Sequence, residues 1–137
     1  MKNQFLIVST IVLASFALIS MTVKDFEIQD PWEVPAKYEK MNNPYAGDAD
    51  ADQVGRMLYK EHCASCHGAK GEGDGKKADT VDTEVPDFTY GSFSEQSDGS
   101  MWYKTFIGRD DMPAFQEKIP DEKQQWLIVN YIRTLGS

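Results

Sequence analysis

Residues Cys63-Ala64-Ser65-Cys66-His67 decide how the rest of the chain is read. Two thiols separated by two residues, with an imidazole next in line, form the pattern for covalent attachment of a c-type haem. The spacing has a mechanical basis. Two intervening residues let both sulfurs bond vinyl groups on one edge of a porphyrin, and the following residue can turn its imidazole onto the iron. Other chemistries fit these residues less well. A dithiol redox switch would sit where a strand meets a helix, and no strand pattern precedes Cys63. Zinc needs four donors, and His62, Cys63, Cys66 and His67 are the only cysteines and histidines in the chain. Packed consecutively, they can hardly surround a tetrahedral ion. A disulfide over so short a loop would gain little chain entropy. His62 reads as a helix-end residue.

A second half of the site is expected in Gly108-Arg109-Asp110-Asp111-Met112-Pro113-Ala114-Phe115. Pro113 drives the preceding residue out of helical geometry, so the Met112 thioether is presented sideways from a loop. Taken alone, Met112 would read as a filler of core gaps; beside the haem motif it reads as an iron ligand. Met101 is the rival, but it lies at helical spacing among aromatic residues and is expected in the core.

The remaining sequence supplies a small domain around these motifs. With 137 residues there is room for one modest core. Lys plus Arg is 14 against 22 Asp plus Glu, a net charge of -8, which argues against nucleic acid as a partner. Phe5 to Val23 is uncharged for nineteen residues and would span roughly 28 Å as a helix, close to the ~30 Å of a bilayer core. Residues 1–23 therefore suit an uncleaved membrane anchor or a signal peptide cut near Ser15-Phe16-Ala17. With Lys2 before this segment and Asp25, Glu27 and Asp30 after it, the chain from residue 24 onward is expected outside the cytoplasm. Residues 24–50 carry Pro31, Pro35 and Pro44 and read as an acidic linker. Phe26, Trp32, Tyr38 and Tyr45 are too many aromatics for a fully solvated tether, so part of it should lie on the globular surface.

The globular part is expected over 51–137, all-α with long loops. A first helix, capped by Asp50 or Asp52, should reach about His62. A second should follow Asp98-Gly99, and a third should open near Asp121, with Gln124 at the reciprocal capping position, and end before Gly136.

These residues together resemble a class I mono-haem cytochrome c. The matching positions are Gly55 and Tyr59, Cys63 to Gly68, Gly71-Glu72-Gly73-Asp74-Gly75, Val85-Pro86-Asp87-Phe88, Met112 to Phe115, and Trp126 to Leu135. The resemblance implies a class I cytochrome c fold of three to four short helices wrapped around one covalent haem c, with the hydrophobic helix ahead of it. It implies that Gly55 and Tyr59 cross Ile128 and Tyr131, that Cys63 and Cys66 hold the haem, and that His67 and Met112 bind its iron. The Pro86 carbonyl is then expected to accept the His67 Nδ1 proton, Phe88 to line the pocket, and Trp102 or Tyr103 to reach a propionate. Electron transfer in a bacterial respiratory chain follows, as tethered relay or soluble carrier and not as an enzyme. A quinol-oxidising complex or a terminal oxidase would be the redox partner. The leader Pro31-Trp32-Glu33-Val34-Pro35 is similar to that of mono-haem subunits in assemblies such as alternative complex III. If Met112 swung away, five-coordinate iron would suit a peroxidase or gas sensor. Lys70, Lys76 and Lys77 either form a basic docking rim or simply solubilise their loop.

Overall fold

The computed structural model describes residues 31–136. The hydrophobic segment and the first part of the linker lie outside the described residues. In chain order the described helices are α1 (Ala36–Glu39), α2 (Val54–His62), α3 (Ala64–His67), α4 (Gly91–Ser94), α5 (Asp98–Ile107) and α6 (Glu122–Leu135), with 3₁₀ turns at Ala49–Ala51 and Ala78–Thr80. The three longer helices, α2, α5 and α6, are those expected from the sequence, and the others are single turns. Among the described residues no strand ladder forms, only one bridge between Arg109 and Met112. None of these helices is long and apolar enough to cross a membrane.

Two of the three helix starts differ from expectation. Asp48 caps the 3₁₀ turn by accepting from Asp50 N, and that turn feeds directly into α2, whose own N-cap Gln53 makes no side-chain cap. At α5 the cap is Ser97, which accepts from Ser100 N, because Asp98 is occupied by Arg133 and Asn43. Asp121 caps α6 through Gln124 N, as its sequence position suggests.

Helices α2 and α6 cross at Gly55. A Cβ there would collide with the Leu127 carbonyl and stand 3.0 Å from Tyr131 Cβ, so only glycine lets the two backbones approach. Tyr59 packs its ring 5.3 Å from that of Tyr131. Ile128, Val129, Ile132 and Trp126 close the core beneath α5, which contributes Met101, Trp102 and Phe106. Met101 is buried in that core, where its helical spacing put it.

The linker residues from Pro31 to Asp50 lie on this core. Tyr38 stacks on Trp102 at 5.9 Å and packs tilted against Tyr103 at 4.6 Å. Asn43 donates to Asp98 and Asn130, and Asn130 returns a bond to the Tyr45 carbonyl. Lys123, near the start of α6, pairs with Asp50 at 2.8 Å and with Asp48 at 3.2 Å. Among the described aromatics of this segment, Tyr38 is half-buried against α5, Trp32 lies over Arg109, and Tyr45 is tied to α6 through Asn130; Phe26 lies outside the described residues.

Candidate haem site

Helix α2 ends at His62, and the chain turns through Cys63 into the single turn α3, which carries Cys66 and His67. Both cysteines are free thiols; Cys63 is buried and Cys66 half-buried. Burial, and after it the neighbouring Cys66, push the Cys63 thiol up to about 12. The short segment is fixed by backbone bonds to the loop that follows it. Gly73 N donates to the His67 carbonyl at 3.0 Å, Gly75 N to Cys66 at 3.0 Å and Lys77 N to Ser65 at 2.8 Å. From below, the buried Tyr59 hydroxyl donates to the Gly68 carbonyl at 2.8 Å. Loss of solvent around that hydroxyl raises its pKa well above the usual phenol value, so it stays a donor.

His67 is 7% exposed. Burial pulls its pKa down to about 4 against a smaller opposing influence of the Pro86 backbone, so the ring is neutral near pH 7, the form that can bind a metal. Its Nδ1 is buried with no partner at hydrogen-bonding distance and angle. Pro86 is thus near enough to favour a proton on the ring without completing the bond expected from it. The imidazole stacks on Phe88 at 4.5 Å, and Phe88 stacks on Phe93 at 4.4 Å. Phe88 N is anchored to the Gly71 carbonyl at 2.7 Å. Phe93 is a wall residue that the sequence did not single out.

Met112 closes a tight turn. Arg109 N donates to the Met112 carbonyl and Met112 N to the Arg109 carbonyl, both at 2.9 Å. Asp110 at the tip has φ of 52°, a conformation aspartate tolerates better than most residues. Gly108 caps α5 with φ of 73°, and a Cβ there would stand 2.5 Å from the Met112 carbonyl oxygen. Met112 is partly buried and packs against the core cluster to which Phe115 and Leu58 belong. The Asp111 carboxylate accepts from Asp82 N, Thr83 N and the Thr83 hydroxyl. The Thr83 bonds are the main reason its pKa lies below the ordinary carboxylate value. On another side Arg109 reaches Trp32 and the Pro31 carbonyl. Neither tether has a local sequence signature, because the partners lie 28 or more residues away.

Trp102 does not serve as a free donor. Its indole N–H is buried and donates to Gln125 Oε1 at 3.1 Å, and the Gln125 amide donates to the Ile119 carbonyl at 2.7 Å. Of the two residues expected to reach a propionate, Trp102 instead joins α5 to α6, which leaves Tyr103 as the candidate. His62 sits at the end of α2 with its ring 6.1 Å from Phe115. Lys70, Lys76 and Lys77 are exposed in the loop after the motif.

The donor set fits a covalently held haem. Two free thiols, a neutral buried imidazole and a thioether on a pinned turn are offered by one small domain, around apolar side chains. The comparisons agree. Residues 53–136 match the family model described as cytochrome c. The chain is also similar to subunit CcoP of a cbb3-type cytochrome c oxidase from Azospirillum brasilense, 30% identical over 103 residues, which are 74% of this chain and 34% of that protein. It thus spans about a third of the length of that relative.

Proposed function

The chain belongs to the cytochrome c family, whose haem c is held covalently, and on that premise we propose that it relays single electrons with His67 and Met112 as the two iron ligands. When bound, the haem supplies a one-electron ferrous/ferric couple. The chain's own residues set its surroundings. Cys63 and Cys66 anchor it. Burial keeps His67 neutral, and a proton on Nδ1, the nitrogen nearer the Pro86 backbone, would leave the other ring nitrogen as the donor. Phe88, Phe115, Leu58 and Ile128 are all buried, so water is excluded and the extra positive charge of the oxidised state is disfavoured, which raises the potential. A thioether ligand acts in the same direction.

The observation that carries this reading is the Met112 turn, closed by its own backbone pair and tied from two distant segments. A methionine destined to leave the iron for a substrate would not need such restraint. If His67 and Met112 both held the iron, no position would be left for a substrate, which favours electron relay over a peroxidase or a gas sensor. Similarity to the CcoP subunit supports a place in a respiratory chain with a terminal oxidase as acceptor, and a quinol-oxidising complex is the matching donor. Residues 5–23 would hold or export the domain to the periplasmic face, leaving it a tethered relay or a soluble carrier.

The ferric spectrum tests the ligand set. The long-wavelength charge-transfer band of a thioether bound to ferric haem is expected in the wild type and absent in Met112→Ala. A wild type that lacks the band and binds carbon monoxide avidly would establish the peroxidase or sensor reading instead.

A further inference from the structure

We propose that Trp32 is a positioning residue for Met112, acting through the Arg109 side chain that it covers. The proposal rests on the reading of Met112 as an iron ligand and extends it to the segment that precedes the haem domain. The Arg109 guanidinium carbon stands 4.7 Å from the Trp32 ring centroid. Nη1 donates to the Pro31 carbonyl at 3.4 Å, and Nε pairs with Asp110 at 3.1 Å. Trp32 is half-buried, and the Arg109 side chain is 30% exposed, so water only partly competes for these contacts.

Arg109 is also the residue that pairs with Met112 through both of its backbone groups. Its main chain therefore sets where Met112 starts, and Trp32 and the Pro31 carbonyl are among the contacts that hold its side chain, beside Asp110. The backbone immediately before it has no slack, because Gly108 already lies against Met112, Pro113 and Ala114. Movement of the guanidinium is passed to the turn instead of being absorbed by a loose loop. Asp111 grips Thr83, and Arg109 keeps its contacts with the Pro31 carbonyl and Asp110, so removal of Trp32 loosens the Arg109 edge of the turn and leaves the Asp111 edge anchored. The expected consequence is more frequent opening at the methionine, not unfolding of the domain.

Imidazole binding to the ferric holoprotein at fixed pH reads this opening, because added imidazole can occupy the methionine position only when the turn lets go. A contact of cation–π strength corresponds to a shift of roughly three- to tenfold in that equilibrium. Trp32→Ala is therefore expected to bind imidazole roughly three- to tenfold more tightly than the wild type. Trp32→Phe, which keeps a ring face, should recover most of the difference. Val34→Ala, a truncation on the same segment that leaves the Trp32 ring over Arg109, should behave as the wild type. Unchanged imidazole affinity in Trp32→Ala, in a wild type that shows the thioether band, overturns this proposal alone. The same holds if Val34→Ala matches Trp32→Ala, since general packing of the segment would then be the cause. A wild type without the band overturns the ligand reading, and this proposal with it.

Discussion

The two sides of the haem site are built in opposite ways. The Cys63–His67 side is local: its restraints come from Tyr59, from the loop at 73–77 and from the stretch at 86–88, all within about two dozen residues. The Met112 side is assembled from residues 31–32, 82–83 and 108–112, which meet only in the folded chain. A covalently attached ligand segment needs little outside help to stay in place. A thioether bound only by coordination depends on how well its turn is held, and that restraint comes from far along the chain.

Disrupting the local side should have the largest effect. In Cys63→Ala/Cys66→Ala, covalent haem should be lost completely, as read by haem staining after denaturing electrophoresis. Much of the helical circular dichroism should go with it, since so small a core relies on the apolar bulk of the haem. Retention of full helical signal would show that the protein scaffold stands without the cofactor. Gly55→Ala tests the support shared by both sides. A methyl group driven against the Leu127 carbonyl should cost about 2 kcal/mol or more, lowering Tm by about 8 to 16 °C for a domain of this size. Thermal melts of the two holoproteins would check this, and an unchanged Tm would mean that α2 and α6 can separate freely.

The smallest effect is expected away from both sides, at Asp48. Its carboxylate is held below its ordinary value of 3.8, first by the Asp50 N–H and then by Lys123. A carboxylate whose folded pKa is lowered adds stability above its unfolded pKa, and that stability is lost as pH falls through the folded value. Asp48→Asn should therefore flatten the acid limb of the Tm profile below about pH 4 while leaving the ferric spectrum unchanged. A shifted spectrum would mean that the linker contact reaches the haem, and the division between the two sides would have to be redrawn.

Much of this was legible in the sequence for reasons that differ by element. Cys63, Cys66 and His67 could be read directly because the chemistry demands a fixed local spacing. The helix crossing at Gly55 and Tyr59 was legible only through the family resemblance, and the structure shows why those residues suit it: a Cβ at Gly55 would meet the Leu127 carbonyl, and the Tyr59 ring packs on Tyr131. Asp121 announced the start of α6 through a capping pattern confined to one turn. The true caps at Asp48 and Ser97 were less visible, since several acidic and hydroxyl residues compete nearby and the winner depends on what else the losers bind. Asp98 is the example: its carboxylate is taken by Arg133, from the far end of the chain.

Trp102 illustrates the same limit. Its indole N–H looked available in one dimension, and only the packing of α5 on α6 gave it to Gln125. By itself the sequence determined the covalent attachment motif, the all-helical class and the candidacy of Met112, because each depends on residue type at short separation. Tertiary structure alone decided how Met112 is restrained and where the linker lies. Those outcomes depend on side chains separated by tens of residues, whose meeting is a property of the assembled core and not of any local pattern.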